Sequence, residues 1–328
     1  MKRILVIGAG LIGGRHVDTI LAHPDCALAG VVDPASSRRP SHGAPWFQDI
    51  SEVDVPVDGA VIASPTGLHG SHGEAVAARG WDMLIEKPVT GTVAEAEALE
   101  LAVKGAGVRA LVGHHRRYHA SIRKLKDIVA EGAIGDVVTS TMIWSMRKPD
   151  AYFETDWRQK AGSPVMINLI HDIDLLRFVL GEIVDVTGFA SQAARLAGRV
   201  ESGAVALRFA SGACGTISFA DVAPSPWGFE AGTAENPNIA ATGQDMWWIT
   251  GTKGAVSFPS IQLWSGAQDW SQVPQMVAHE TAETVPLVAQ LDHFVDVMER
   301  QSPPLIDIRD GQRSLEITEK VEACLARD

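Results

Sequence analysis

The stretch "RILVIGAGLIGGRH", residues 3 to 16, decides the fold. Its first five residues form a short apolar run rich in branched side chains, the composition of a buried strand. Gly8-Ala9-Gly10-Leu11-Ile12-Gly13 follows at once and opens a helical stretch that reads on to about Ala22. Each glycine has a separate physical use: Gly8 permits a tight turn, Gly10 lets the backbone approach a pyrophosphate, and Gly13 allows close packing of helix on strand. The N-terminal turn of the helix, with Leu11 and Ile12, then faces the phosphates. Asp33 lies 20 residues after Gly13, at the tip of a second strand "ALAGVVD" (27 to 33). That is where a carboxylate accepts hydrogen bonds from an adenosine ribose. The carboxylate favours NAD, while Arg38 and Arg39 lie close enough in sequence to take a 2′-phosphate, which leaves NADP possible.

The pattern continues outward from this unit. Strands read at "GAVIAS" (59 to 64), "DMLIE" (82 to 86) and "RALVG" (109 to 113), separated by helices over about 69 to 79 and 92 to 104. Continuous apolar strands alternating with helices imply a parallel sheet covered on both faces, here a doubly wound Rossmann domain over residues 1 to 120.

A chain of 328 residues, 46% hydrophobic and 21% charged, has room for about two domains with large cores. Its net charge of -12 argues against a nucleic-acid binder and against anionic membranes, so a small-molecule substrate is expected. Cys26, Cys214 and Cys324 are scattered without paired metal-ligand spacing and read as small buried hydrophobes in a reduced, cytoplasmic protein. The apolar run at the start is short, broken by glycines and lacks a cleavage site, and nothing is long enough to span a membrane.

Residues 121 to 328 change style. "DVVTSTMIWSM" (136 to 146) has the alternation of a half-buried strand, "SGAVALRFASGACGTISFADV" reads as a hairpin turning at Ser211-Gly212, and "MWWIT", "AVSF" and "IQLWS" follow as further strands. These predict a second domain of α+β type, over residues 121 to 328, on an open, mainly antiparallel sheet with one face left over. Seven of the nine tryptophans fall in this half, as core or interface groups or as stacking surfaces for a sugar ring. The stretch 221 to 244 reads as an irregular binding loop, with Trp227 and Asn238 as candidate substrate contacts.

Two further places carry chemistry. In "LIEKPVTG" (84 to 91) a strand ends at Lys87-Pro88, and the proline holds the residue before it in an extended conformation. In "GSPVMINLIHDIDLLRFVLGE" (162 to 182) a helix carries Asn168, His171 and Asp174 at intervals of three, a polar stripe on an apolar helix. His115 and His119 have metal-ligand spacing, but no carboxylate or cysteine set completes a site, so no metal is expected.

With "GAGLIGGRH", "SPTGLH" (64 to 69), "EKP" (86 to 88), "HHRRYH" (114 to 119), "DWR" (156 to 158) and "IHDIDLLRFVLG" (170 to 181), the sequence resembles the glucose-fructose oxidoreductase and inositol dehydrogenase family, Gfo/Idh/MocA, over nearly its whole length. The resemblance implies an NAD(P)-dependent oxidoreductase acting on a hydroxyl or carbonyl of a polyol, sugar or related hydroxylated ring. It makes Lys87 the lysine at the nicotinamide and substrate hydroxyl and His171 the proton-transfer residue, consistent with an ammonium stabilising developing alkoxide while an imidazole takes the proton. It places Ser64, Pro65, Thr66, His69, Glu86, Arg116 and Arg158 on the cofactor side, with Lys87, Arg158, Asn168 and His171 toward substrate. It also implies a homo-oligomer, dimer or tetramer. Sugar dehydrogenases of the family usually carry an aspartate four residues before the histidine; here that position is Ile167, and Asn168 stands one place later. Two other readings share the fold: a ligand-sensing regulator without catalysis, and an enzyme that recycles tightly bound NAD.

Overall fold

A computed structural model describes residues 1–38, 43–153, 163–195 and 198–326. The chain forms two compact units, the first of residues 1–115 and 285–316, the second of 116–284 and from 317 onward.

In the first unit, strands β1 (Lys2–Ile7), β2 (Cys26–Val32), β3 (Trp46–Phe47), β4 (Gly59–Ile62), β5 (Asp82–Ile85) and β6 (Ala110–Val112) form one parallel sheet in the order β3-β2-β1-β4-β5-β6. Helices α1 (Leu11–Ala22), α2 (His69–Ala78) and α3 (Val93–Ala106) make the connections. The order reverses direction between β1 and β4, the switch point at which doubly wound sheets bind ligands. Helix α3 starts at a capping box, Thr92 accepting from the Glu95 amide while the Glu95 side chain accepts from the Thr92 amide, and ends at Gly107 with φ 68°.

The sequence reading drew a single boundary at residue 120, whereas the chain returns to the first unit at 285. The reason is apolar surface: on the helix Pro286–Met298, Leu291, Phe294, Val295 and Met298 are buried with Ile4, Val6, Val31, Val61 and Leu84 of the sheet. A side chain at Gly59 would sit 2.6 Å from the Met298 sulfur, so β4 begins with a glycine where this helix packs.

In the second unit, β7 (Val137–Ser145), β8 (Ile183–Ser191), β9 (Ser202–Phe209), β10 (Cys214–Ala220), β11 (Trp247–Gly251), β12 (Gly254–Phe258), β13 (Gln262–Ser265) and β14 (Gln275–Ala278) form a sheet ordered β14-β13-β12-β11-β7-β10-β9-β8. Only β7 and β10 pair in parallel. Val205, Leu207, Phe209, Ile217 and Phe219 point to a core shared with α4 (Ala120–Ala130) and α5 (Ile170–Leu180), while Ala204, Ala206, Arg208, Thr216 and Ser218 alternate outward. Cys214 lies on that outer face and is exposed, and Cys324 is half-buried, so only Cys26 is the buried hydrophobe expected of all three. Trp144 and Trp247 are core, whereas Trp270 is fully exposed. Trp157 and Arg158 lie outside the described residues.

The tightest constraint is in α1. A β-carbon at Gly13 would lie 1.9 Å from the Gly8 carbonyl oxygen, while one at Gly14 would meet nothing within 4 Å. Gly13→Ala is therefore expected to destabilise by about 1–3 kcal/mol through overpacking. Gly14→Ala, one residue further along the same helix, should stabilise by about 0.5–1 kcal/mol. Urea unfolding of the two variants checks the opposite signs.

Candidate active site

Parallel pairing in register builds the site of the first unit. Ile7 lies opposite Val32 and Ile62, Ile62 opposite Ile85, and Ile85 opposite Val112. The next residue of each strand therefore falls in one row along the C-terminal edge: Gly8, Asp33, Ala63, Glu86 and Gly113. Ladder bonds carry into that row, with the Ala63, Glu86 and Gly113 amides donating to Ile7, Ile62 and Ile85 at 2.8, 2.9 and 2.7 Å.

Gly8 turns with φ 99°, and a side chain there would strike the Ala63 carbonyl at 2.6 Å. Gly10 caps α1 without a side-chain hydrogen bond and has open space where a β-carbon would be. The first-turn amides are thus left without a side-chain acceptor, beside a cradle that any side chain would fill. Leu11, 77% exposed, stands at its rim, and Ile12 is half-buried. These features fit the pyrophosphate of a dinucleotide. Asp33 accepts from the amides of Ala9 and Ala35 at 2.8 Å each and from the Arg38 guanidinium at 3.3 Å. A carboxylate offers about four acceptor positions, so roughly one remains for a ribose hydroxyl. Arg38 is accordingly the partner of Asp33 here; Arg39 lies outside the described residues.

Past β4, Ser64 and Thr66 are half-buried and Pro65 is exposed, and the Ser64 hydroxyl meets His72 Nδ1 at 2.9 Å. His69, expected toward the cofactor, is 1% exposed, with its ring nitrogens 2.7 and 2.8 Å from the carbonyls of Pro88 and Ser64. It braces the turn that follows Lys87. Glu86 is also interior: it is 5% exposed, its Oε1 accepts from His16 Nε2 at 2.9 Å, and its Oε2 accepts from the Lys87 amide at 3.2 Å. Burial alone would raise its pKa. The His16 hydrogen bond and the charges of His16, His115 and Lys87 outweigh that and hold it at about 2, below its ordinary 4.5. Lys87 itself is half-buried.

In the second unit, His171 is the second residue of α5 and 7% exposed. The segment before it, Val165–Leu169, is a π-helical turn, so the expected regular helix through Asn168 is interrupted there. Such turns recur at functional sites because they aim one side chain off the helical register. Asn168 Oδ1 is buried and has no hydrogen-bond partner among the described residues. The rest of the polar stripe is spent on arginines. Asp174 takes a two-pronged contact from Arg117, at 2.8 and 2.6 Å, and Asp172 takes Arg116 Nη1 at 3.0 Å.

Arg116, expected on the cofactor side, is 3% exposed. Its other terminal nitrogen reaches Glu230 at 2.6 Å, and its guanidinium stacks over Phe229 at 4.3 Å. Glu230 also accepts from Trp144 Nε1 at 3.3 Å. Glu230 went unnoticed in the sequence because 221 to 244 reads as irregular; Phe229–Thr233 is a short helix anchored by buried Phe229. Trp227 is 39% exposed and pairs its carbonyl with the Ser145 amide at 2.7 Å, while Asn238 is an exposed loop residue. His115 and His119 fall in different units, and His119 packs edge-on against Phe229 and Phe258.

Residues 2–114 match the family model described as an oxidoreductase family, NAD-binding Rossmann fold, and residues 122–257 match the GFO/IDH/MocA C-terminal domain. The chain is 25% identical to an inositol 2-dehydrogenase of Rhizobium meliloti over 333 residues, 97% of this chain and 94% of that one. It is 29% identical over 227 residues to an uncharacterized oxidoreductase of Bacillus subtilis, YrbE, covering 65% of each. An Agrobacterium radiobacter oxidoreductase solved with NAD+, L-tartaric acid and magnesium shares the fold with a TM-score of 0.85 at 15% identity, over 99% of this chain and 96% of that one.

Two outcomes follow from the buried charges. Arg117→Met strands the Asp174 carboxylate and should cost about 3–5 kcal/mol, read as a lowered melting temperature, and Arg117→Met with Asp174→Leu should recover much of it. Glu86 has a folded-state pKa depressed from 4.5 to about 2, so its contribution is full above about pH 4.5 and lost as pH falls toward 2. The stability gap between wild type and Glu86→Gln should therefore close across that window in acid-dependent denaturation curves.

Proposed function

Because the chain belongs to the GFO/IDH/MocA family of oxidoreductases, with an NAD-binding Rossmann domain, we propose that it is an NAD-dependent dehydrogenase of a polyol, sugar or related hydroxylated ring. The observation that carries this reading is the single row along the C-terminal sheet edge. It puts Asp33 beside the glycine turn at one end, where we assign it the ribose, and Glu86-Lys87 toward the other. A nicotinamide bound there accepts hydride from the carbon bearing the hydroxyl, or returns it to a carbonyl. Lys87 stabilises negative charge developing on that oxygen, and His171 takes its proton. Asn168, whose buried carbonyl oxygen has no donor among the described residues, orients the substrate by accepting from a second hydroxyl. The likeness to an inositol 2-dehydrogenase across nearly both chains supports a cyclic polyol as the first substrate to try. Arg158 is placed with this group by its motif alone. The outward face of the second sheet, with Phe189 73% and Val184 51% exposed, is the surface through which copies associate.

NADH formation with inositols, linear polyols, aldoses and sugar acids tests the activity. Lys87→Met and His171→Ala should each lower kcat by about 10²–10⁴, the range of one acid–base or charge-stabilising group, while NAD binding by calorimetry stays within a few-fold of wild type. No turnover across the panel by a protein that binds NAD would sink the dehydrogenase reading.

A further inference from the structure

The buried His16 and Glu86 pair is not explained by packing. His16 shares the buried face of α1 with Gly13, Val17 and Ile20, where an apolar side chain would serve packing alone. Glu86 sits at the end of β5, 5% exposed, in a sheet whose neighbouring strands are wholly apolar at this level. Burying a carboxylate against an imidazole in such a place seldom stabilises more than a well-packed apolar pair of similar volume would. The arrangement does accomplish something an apolar pair could not. Both carboxylate oxygens are held, Oε1 by His16 at 2.9 Å and Oε2 by the backbone amide of Lys87 at 3.2 Å. On the far side of Lys87, His69 from the start of α2 holds the Pro88 carbonyl at 2.7 Å. The segment carrying Lys87 is thus fixed before and after it.

We propose that His16 and Glu86 are positioning residues for Lys87: together they anchor its backbone and keep an anion beside its ammonium, committing Lys87 to act as a fixed cation and not as a base. This rests on the dehydrogenase reading above. The charged and titratable groups that act on Glu86 are His16 from α1, His115 from the segment after β6, and Lys87 itself. Glu86 is the carboxylate of this set, and its charge and the ammonium of Lys87 act on each other. His16 is then needed because loss of its hydrogen bond at this depth leaves the carboxylate with the Lys87 amide and shifts it toward its protonated form. Proton transfer falls to a group other than Lys87, which agrees with the role given to His171.

The test needs no substrate. The full-length protein is labelled with trace acetic anhydride across a pH series, and acetylation of the Lys87 peptide is read by mass spectrometry. In Glu86→Gln and in His16→Leu the labelling midpoint of Lys87 should move to lower pH. His16→Gln keeps an N–H donor and should stay close to wild type. Where a substrate has been found, kcat in Glu86→Gln should fall, with its alkaline limb displaced to lower pH and NAD affinity unchanged. An unmoved midpoint in folded His16→Leu and Glu86→Gln overturns the proposal. If Glu86→Gln does not fold, the His16 pair of variants decides alone. A wild type that turns over nothing counts against the dehydrogenase reading, and the labelling midpoint still answers for the pair.

Discussion

Everything in the first unit depends on parallel strands that end together. A shift of one residue in any strand would turn its side chains to the other face and carry its terminal residue out of the row. The glycine turn, Asp33 and Glu86 would then no longer share an edge. Gly8 and Gly13 enforce this from the helix side, because the carbonyl of one occupies the space where the other's β-carbon would be. A helix brought that close presents its first amides, uncapped by any side chain, over the open space at Gly10. A binding cradle is thus a consequence of close packing, not an addition to it.

The same edge separates groups that face solvent from groups that only look as if they do. Motif position alone cannot tell Ser64 and Pro65, at the rim, from His69 and Glu86, which are interior. What distinguishes them is partners far away in sequence. Glu86 finds His16 across 70 positions, and His69 finds the Pro88 carbonyl across 19. Both buried groups therefore hold the segment that carries Lys87 from behind, and Lys87 is the residue proposed above to reach a bound molecule.

The strands and helices of the first third were legible because each has one period and a marked end: apolar run, turn glycine, amphipathic helix. The helix Pro286–Met298 shows where that reading stops. Its apolar stripe was visible in principle, but the surface that it covers is the sheet of the first unit, formed by strands some two hundred residues earlier in the chain. In the second unit, the alternation of β9 and β10 gave their faces and their turn correctly, since one side is core and the other solvent. Glu230 had no such signal. It lies in a Pro- and Gly-rich stretch, and nothing local says that Phe229 would bury itself and bring a carboxylate with it.

The stripe on α5 shows how one pattern admits two physical causes. Polar residues at intervals of three on an apolar helix imply something wet or something reactive opposite them. The distant "HHRRYH" (114 to 119) held the other answer: consecutive arginines at 116 and 117 meet Asp172 and Asp174, two carboxylates two residues apart. Those pairs tie α5 to the segment before α4 within the second unit, so His171 stands between a rigid helix body and a π-helical turn. The body fixes the imidazole, and the turn sets Asn168 off the regular register, with an acceptor oxygen that no described residue matches. Of the three polar residues of the stripe, Asp174 is an ion-pair anchor, and the chemistry proposed above falls to Asn168 and His171, because a buried aspartate already matched by arginine has little left to offer a substrate.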